Sequence, residues 1–346
     1  MKKLKGMTDA MKRIALLLAV LLTLSACGGA PRSSDGGEAA GLTPVTLCLE
    51  WTPNTNHTGL FAAQALGYFA EAGLEVSIIQ PPEDGASALC AAGRCELALT
   101  AQDTFAAALS RDEPLALTAV AAILQHDTSG IISRAGEGLD RPKGLEGHTY
   151  STYNGLIELA MMQRVVELDG GDFGQVNCVP YAVNDEAGAL REGLTDAIWV
   201  YYGWGGIAAE QAGLDFDYFY FKDIDPVFDF YTPILVANND FLREQPETAR
   251  AFLAAASRGY AYAIEHPEEA AQLLIDGDST GSLSGSEALV TASQVWMADQ
   301  YQAETPRWGE IDPARWNAFF RWLNENELVE NPIPDDTGFT NDFLPQ

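Results

Sequence analysis

The sequence predicts an α/β protein built on mostly parallel sheets with helices on both faces. From residue 45 onward, short apolar stretches alternate with segments of helical spacing, which is the rhythm of βαβ units. The 346-residue chain is long enough for one large or two medium domains, and an apolar share of 47% is sufficient for their cores. Aromatic and polar residues gather where predicted strands give way to helices, which is the edge at which open α/β sheets bind ligands.

A first α/β unit is predicted between residues 45 and 124. Residues 125–134 indicate a segment that crosses from this unit to a second one. The strands are expected at 45–49, 75–79 and 96–100, the helices at 58–66, 84–92 and 104–109, and a long apolar stretch at 115–124.

The second unit is predicted between residues 148 and 221, and a further apolar segment follows at 231–236. Pro246 and Pro313 suit the first turn of a helix, where a missing N–H has no cost. The strands are expected at 148–151, 175–179, 196–200 and 217–221, and the helices at 155–168, 185–192 and 204–212. After this segment the chain is predicted to be mainly helical, at 239–244, 246–266, 268–276, 284–301 and 313–326.

The connection EWTPNTNHTG, residues 50–59, follows the first predicted strand and is unusually rich in side chains that recognise ligands. Trp51, Asn54 and His57 bring an indole, an amide and an imidazole, and Thr58 is placed to cap the next helix. Pro and Asn alone would be ordinary turn chemistry. The added indole and imidazole favour a recognition loop.

A second cluster of aromatic residues follows the predicted strand at 196–200. Tyr201, Tyr202 and Trp204 lie within four residues, and Tyr153 and Tyr231 are further candidates. These rings either stack on a flat ligand or pack in the core. An aromatic pair contributes about 0.5–1.5 kcal/mol beyond its buried area, so a heteroaromatic ring would suit such a site.

A site that recognises a heteroaromatic ring also needs a few hydrogen-bond donors and acceptors in fixed positions. A carboxylate suits an aminopyrimidine, because it accepts from the exocyclic amine and favours a protonated ring nitrogen. Glu158 has an alternative role, in which it stabilises the first turn of its helix. The predicted ligand contacts are Trp51, Asn54, His57, Gln102, Asp103, His126, Asp127, Tyr153, Asn154, Glu158, Tyr201, Tyr202, Trp204 and Tyr231.

The amino terminus predicts export. Lys12 and Arg13 precede an apolar stretch at 14–24, which is too short to span a bilayer at about 20 residues. Residues 1–26 are expected to form a signal peptide. The Cys that follows Leu-Ser-Ala resembles a bacterial lipobox, so Cys27 is expected to carry lipid and residues 27–42 to form a flexible tether to the membrane.

Charge and cysteine usage exclude several classes of function. A net charge of −29 argues against nucleic-acid binding, since phosphates require a basic face. Cys48 and Cys178 are predicted to be buried thiols, while Cys90 and Cys95 flank a turn and have the option of pairing. The spacing of Cys and His predicts no metal, and neither a cofactor nor a catalytic triad is expected.

Long motifs carry a resemblance to a known family. The stretch LCLEWTPNTNHTGLFAAQALGYFAEAGLEVSII resembles the amino-terminal signature of Thi5/NMT1-like solute-binding proteins of ABC transporters, and most of all the branch that binds thiamin-precursor pyrimidines. Further matching stretches are PPEDGASAL, AQDTFAAAL, QHDTSGIIS, DAIWVYYGWGGIAAE, FDFYTPILVANNDFL and GFTNDFLP. The resemblance covers about residues 43–346.

The resemblance implies the type II periplasmic-binding-protein fold, with two α/β lobes joined by two crossover segments and a ligand cleft between them. The first lobe would comprise 43–128 and 233–346, and the second 129–232. The segment 231–236 would then be the return crossing. The resemblance also implies a monomeric receptor outside the cytoplasm, anchored by lipid, which closes on a small heteroaromatic nutrient and delivers it to an ABC permease with its ATPase.

One stretch departs from the family pattern. Many pyrimidine binders that resemble this chain carry Tyr-Trp-Asn-x-Glu in the second-lobe loop, whereas this sequence has Gly203 and Gly205 in place of the Asn and the Glu. Glu158 or Asp127 would then have to supply the carboxylate, or the ligand would be another flat heterocycle such as a flavin-like ring.

Two other functions remain as alternatives. Sister families bind sulfonate or nitrate, but those anions need helix amino termini and often a basic residue, which the predicted loops lack. Thi5-type pyrimidine synthases share the family fold and use a pocket His with a Cys-rich motif. His57 resembles the former, but all five Cys are isolated, so the chain is not expected to be an enzyme.

Overall fold

The computed structural model describes residues 41–181, 183 and 185–346. The predicted signal peptide, the lipidation site at Cys27 and most of the tether lie outside these residues. Within the described part of the chain, no helix combines the length and the apolar character needed to cross a membrane.

The described residues form ten strands in two five-stranded sheets. The strands are β1 (Thr43–Cys48), β2 (Leu74–Ile79), β3 (Leu97–Thr100), β4 (Leu117–Ala122), β5 (Ser129–Arg134), β6 (Thr149–Thr152), β7 (Asn177–Pro180), β8 (Ala197–Tyr201), β9 (Phe216–Tyr220) and β10 (Ile234–Asn238).

The first sheet has the order β2-β1-β3-β10-β4, and the second has the order β7-β6-β8-β5-β9. In each sheet the strand that arrives from the other lobe runs antiparallel to its neighbours. β10 is antiparallel to β3 and β4, and β5 is antiparallel to β8 and β9, while the remaining pairs are parallel. The predicted α/β class and the two-lobed architecture with two crossings are thus confirmed.

Helices cover both faces of the sheets, so central strands are buried on both sides; all five residues of β10 are buried. The helices are α1 (Thr58–Ala65), α2 (Tyr68–Glu71), α3 (Ala86–Ala91), α4 (Gln102–Leu109), α5 (Leu156–Leu168), α6 (Glu186–Glu192), α7 (Ile207–Gln211), α8 (Phe221–Ile224), α9 (Asn239–Glu244), α10 (Pro246–Glu265), α11 (Pro267–Gly277), α12 (Glu287–Met297) and α13 (Pro313–Glu325). Short 3₁₀ turns occupy Thr55–His57, Pro142–Leu145, Phe173–Gln175 and Pro226–Phe228, and a π-helical turn occupies Tyr202–Gly206.

Several predicted bounds differ from the structure. The apolar stretch at 115–124 is the shorter strand β4, and the predicted return crossing at 231–236 runs into β10 at Ile234. The helix predicted at 284–301 begins and ends inside that range as α12, and the helix predicted at 204–212 is preceded by the π-helical turn. Apolar periodicity marks the elements but does not fix their ends.

The first-lobe recognition loop is anchored by close helix packing. Gly59 at the start of α1 meets Gly259 of α10 so closely that a Cβ on Gly259 would lie 1.9 Å from the Gly59 carbonyl oxygen. Below them the Tyr260 ring stacks on Trp308 at 4.3 Å between centroids. This contact fixes α1, and with it the segment of residues 50–57 that precedes α1.

The C-terminal helices contact both lobes. α13 packs against the chain just before the return crossing, where Phe319 stacks on Phe230 at 4.2 Å and Trp322 meets Phe228 edge-on at 4.9 Å. α12 packs against the π-helical turn of the second lobe, where Trp296 lies 5.3 Å from the Tyr202 ring. The two crossings are therefore flanked by helices that belong in sequence to the end of the chain.

Candidate ligand-binding site

The candidate site is assembled from the segments that follow the carboxyl ends of β1 and β3 in the first lobe and of β6 and β8 in the second. The two crossings, residues 123–128 and 229–233, run beside it. This edge of an α/β sheet is the usual location of a ligand crevice. Three aromatic side chains remain exposed there, Trp51 at 66%, Tyr153 at 68% and Tyr201 at 42%.

In the first lobe, a buried imidazole organises the loop that presents Trp51. His57 is fully buried; its Nδ1 accepts a hydrogen bond from the Asn54 N–H at 3.1 Å, so its Nε2 carries the hydrogen and donates to the Glu50 carboxylate at 3.0 Å. Asn54 in turn accepts from the Asn56 N–H at 2.9 Å and donates to the Thr52 carbonyl at 3.1 Å. The structure thus gives His57 and Asn54 partners within the loop, and Trp51 is left free to meet a ligand.

In the second lobe, Glu158 organises the loop that presents Tyr153. Its carboxylate accepts from the Tyr150 hydroxyl at 2.6 Å, from the Tyr153 N–H at 3.0 Å and from the Gly155 N–H at 3.0 Å. Between these donors Asn154 adopts a left-handed backbone with φ of 60°. Both oxygens of Glu158 are paired, which matches its alternative role at the helix start more closely than a ligand contact.

Tyr201 lies near residues of both lobes and of the crossings. Desolvation, and then the charges of Asp127 and Asp103, raise the pKa of Tyr201, while the nearby Thr232 side chain lowers it. Asp103 belongs to the first lobe, Asp127 and Thr232 to the crossings, and Tyr201 ends β8 of the second lobe. The Tyr201 ring therefore lies within the electrostatic reach of carboxylates from the first lobe and the first crossing.

Two half-buried carboxylates border this region. Asp103 is half-buried at the start of α4, and desolvation raises its pKa although its carboxylate accepts from the Thr104 N–H at 2.6 Å. Glu186, the first residue of α6, is also half-buried with a pKa raised by desolvation, and its charge helps to raise the pKa of Tyr153 to about 12. Sequence reasoning missed Glu186 and Thr232; for Glu186 the available signal was its position at the first turn after β7.

At the first crossing, Asp127 is fully buried with an incomplete set of partners. Its Oδ1 accepts from the Ser129 N–H at 2.8 Å and from the Ser129 hydroxyl at 2.5 Å, whereas Oδ2 has no partner among the described residues. Desolvation therefore raises the pKa of Asp127 to about 7, against the lowering effect of Ser129 and Lys222. Its backbone is held by both sides of the hinge, because Asp229 accepts its N–H at 3.0 Å and Lys222 donates to its carbonyl at 2.7 Å.

His126 ties the crossings to the C-terminal region. Its Nδ1 lies 2.7 Å from Asp229 and its Nε2 lies 2.9 Å from Glu304, and the hydrogen bond with Asp229 is the largest cause that raises the pKa of His126. Arg315 stands 3.6 Å from the same Asp229 carboxylate and donates to the Gln125 carbonyl. The structure places His126 in a network of charges at the hinge.

Four other predicted contacts are engaged in packing. Tyr202 stacks among Tyr218, Tyr220 and Trp296 while its hydroxyl donates to Glu210 at 2.5 Å, and Trp204 packs against the first-lobe core. Tyr231 is buried and its hydroxyl accepts from the Asp312 N–H at 2.8 Å. Gln102 accepts from the Tyr231 N–H and donates to the Trp316 carbonyl, both at 3.0 Å.

Close packing around the π-helical turn explains why residues 203 and 205 are glycines. A Cβ on Gly203 would lie 2.5 Å from Met297 Sδ and 2.9 Å from the Trp296 ring, and a Cβ on Gly205 would lie 2.7 Å from Val200 Cβ. The Asn and Glu of the resembling pyrimidine binders would therefore require the side chains of Met297, Trp296 and Val200 to shift. The absence of that carboxylate follows from how closely this turn packs.

The thiols of Cys48, Cys90 and Cys95 are buried and free, and no disulfide joins Cys90 to Cys95. Cys178 is only partly buried, so the prediction of a buried thiol there was wrong, because β7 lies at the edge of its sheet. Among the residues that the structure describes, no group of three His, Cys, Asp or Glu side chains is arranged to hold a metal ion.

Comparison with known proteins places this architecture in a family. The chain is 29% identical to the formylaminopyrimidine-binding protein of Halalkalibacterium halodurans over 95% of its own length and 98% of that protein. It is 27% identical to the 4-amino-5-hydroxymethyl-2-methylpyrimidine phosphate synthase THI13 of Saccharomyces cerevisiae, over 67% of its own length and 70% of the synthase.

Among solved structures, the chain is similar in fold to the periplasmic aliphatic sulphonate binding protein SsuA of Escherichia coli. The TM-score is 0.62 at 15% identity, over 84% of this chain and 89% of that one. The sequence pattern of the family described as NMT1/THI5 like matches residues 54–270, and the chain belongs to that family.

Proposed function

We propose that this protein is an extracytoplasmic receptor that binds an aminopyrimidine and delivers it to an ABC permease. The similarity to the formylaminopyrimidine-binding protein extends over nearly the whole of both chains, which supports the proposal. The main structural support for the proposal is the set of residues at the candidate site. The charges of Asp103 and Glu186 act on the exposed rings of Tyr201 and Tyr153, and Trp51 is exposed on the loop after β1. This combination suits a flat ring that brings hydrogen-bond donors.

In this proposal the ligand ring is held between Trp51 of the first lobe and Tyr153 and Tyr201 of the second. Asp103 accepts a hydrogen bond from the exocyclic amine, because a desolvated carboxylate gains most from a strong donor. Asn154, which is exposed beside Tyr153, is available for substituents of the ring. Glu186 is added to the predicted contacts. Six of the predicted contacts instead hold the loops of the site in place and do not touch the ligand: His57, Gln102, Glu158, Tyr202, Trp204 and Tyr231.

Binding in this proposal breaks no covalent bond. Ligand contacts from both lobes favour the closed arrangement, and the crossings at 123–128 and 229–233 absorb the motion as a hinge. The closed form then presents both lobes to a permease that works with its ATPase. A lipid on Cys27 would keep the monomeric receptor at the outer surface of the membrane, with residues 28–42 as the tether.

The two alternative functions fit the site less well. A synthase that uses a pocket His would need an accessible imidazole, whereas His57 is fully buried between Glu50 and Asn54. A sulfonate or nitrate would meet the carboxylates of Asp103 and Glu186. The basic side chains at the neighbouring crossings, Lys222 and Arg315, are engaged with the Asp127 carbonyl and the Asp229 carboxylate.

The proposal is tested by a thermal-shift screen of the chain from residue 28. The panel contains formylaminopyrimidine, 4-amino-5-hydroxymethyl-2-methylpyrimidine, thiamin, riboflavin and nucleobases, with aliphatic sulfonates and nitrate as controls. We expect a saturable rise in melting temperature with the aminopyrimidines alone. A shift with riboflavin alone would change the proposed ligand but would still support an aromatic binding cleft. A shift with sulfonates alone would overturn the proposal.

A further inference from the structure

Helix α12 contacts two of the segments that carry exposed aromatic residues, the loop that presents Trp51 and the turn that follows Tyr201. Its residue Ser293 is fully buried. The Ser293 hydroxyl lies 2.7 Å from the hydroxyl of Thr55, in the loop that presents Trp51, and is hydrogen-bonded to the carbonyl of Gly203, in the turn that follows Tyr201. A single side chain thus contacts both lobes.

The direction of these hydrogen bonds follows from the groups involved. A carbonyl oxygen only accepts, so the Ser293 hydroxyl donates its one hydrogen to Gly203. The Thr55 hydroxyl is then the donor to Ser293 Oγ. The result is a directed chain from the first-lobe loop, through α12, to the second-lobe turn, and none of its members has a hydrogen to spare for another acceptor.

Further contacts attach both loops to α12 and the residues just after it. On the second-lobe side, Gly203 has no space for a side chain against Met297 and Trp296 of α12. On the first-lobe side, the hydroxyl of Tyr301, just beyond α12, lies 2.5 Å from the Thr55 carbonyl oxygen. Each loop therefore has a hydrogen bond and a packing contact with the same short segment.

We infer that Ser293 is a positioning residue for ligand binding, which couples the Trp51 loop to the Tyr201 turn and sets the spacing between their rings. The inference rests on the proposed function, since it assigns these rings to the ligand. Ser293 itself does not contact the ligand. Its removal separates the two loops, so an aromatic ring between them loses contact on one face.

The first arm of the test measures hydrogen–deuterium exchange in the free, full-length protein. In Ser293→Ala we expect faster exchange in two separate segments, residues 50–58 and 201–206, and unchanged exchange elsewhere. Ser284→Ala is the matched control, because Ser284 is exposed and precedes the same helix. Faster exchange in only one of the two segments, or in neither, would show that Ser293 does not couple the loops.

The second arm measures affinity for 4-amino-5-hydroxymethyl-2-methylpyrimidine well below the melting temperature of every variant. Ser293→Ala and Thr55→Val are each expected to weaken binding about tenfold, and the double variant no further, because both break the same chain. Thr55→Ser, which keeps the hydroxyl, is expected to bind as wild type does. Additive losses, or wild-type affinity in Ser293→Ala, would overturn the inference.

The two arms separate the inference from the proposed function. If the wild-type protein binds no aminopyrimidine, the proposed function fails, yet the exchange arm still decides whether Ser293 couples the loops. If the wild type binds and Ser293→Ala binds equally well, the function stands and the positioning role fails.

Discussion

The Nε2 of His57 donates to the carboxylate of Glu50 at 3.0 Å, while its Nδ1 accepts from the backbone of Asn54. This buried imidazole joins both ends of the loop that displays Trp51. A residue type that is common at catalytic centres thus has a structural role here, because both of its nitrogens are already committed to the loop.

Replacement of this imidazole tests the role directly. His57→Ala leaves the Asn54 N–H and the Glu50 carboxylate without their partner, so we expect a loss of about 2–4 kcal/mol in the free energy of unfolding and weaker aminopyrimidine binding. Urea denaturation and calorimetry measure the two effects. His266→Ala serves as the control, because His266 is exposed. Equal stability of the two variants would contradict the role of His57.

Trp51 is expected to act on the ligand and not on the fold. With 66% of its surface exposed, it contributes little to the core, so Trp51→Ala should retain the wild-type melting temperature. The same variant should lose about tenfold in aminopyrimidine affinity, while Trp51→Phe, which keeps a ring, should lose less. An unchanged affinity in Trp51→Ala would remove this residue from the ligand contacts.

Asp127 predicts a particular dependence of stability on pH. Burial raises its pKa to about 7, whereas an unfolded Asp titrates near ~3.9. Between these values the folded state holds a proton that the unfolded state has released, so the contribution of this residue to stability falls as the pH rises.

Asp127→Asn removes that proton equilibrium and keeps an oxygen for Ser129. We expect the variant to gain stability relative to wild type by about 2 kcal/mol or more between pH 5 and pH 8, as measured by urea denaturation at both pH values. The raised pKa of His126 acts in the same direction but is common to both proteins, so it cancels in the difference. A difference that is the same at both pH values would rule out a buried, titrating Asp127.

Replacement of Gly203 by the Asn found in resembling proteins is expected to destabilise the fold. Gly203→Asn forces a side chain against Met297 and Trp296, which should cost about 1–3 kcal/mol of folding stability. Gly213→Asn is a suitable control, since Gly213 is open and Asn tolerates its left-handed backbone. A Gly203→Asn variant as stable as this control would show that the departure from the family pattern has another cause.

The sequence predicted the fold class and most of the elements, because apolar stretches of strand length alternate with amphipathic segments. It did not predict the π-helical turn at Tyr202–Gly206, since three glycines give no periodic signal there. Nor did it separate Tyr201 from Tyr202 and Trp204. Which of these rings faces the cleft depends on the direction of the chain as β8 ends, and that direction is set by the contact with α12.

The polar residues show the same limit. Glu158 and His57 have residue types and positions that suit a ligand site, but their partners are backbone groups and side chains that spacing alone does not bring together. Glu186 resembles an ordinary acidic residue at a helix start. It joins the site only because β7 and β6 are neighbours, so that α6 begins beside the loop of Tyr153.

The most direct test of the account is an isothermal titration of the chain from residue 28 with 4-amino-5-hydroxymethyl-2-methylpyrimidine. A closed cleft with a stacked ring and several hydrogen bonds predicts one saturable site with micromolar or tighter affinity, on the order of 8 kcal/mol. We expect that site to be lost on titration of the Trp51→Ala, Tyr201→Ala double variant. Absence of saturable heat with the wild-type protein, together with saturable binding of an aliphatic sulfonate, would contradict the account.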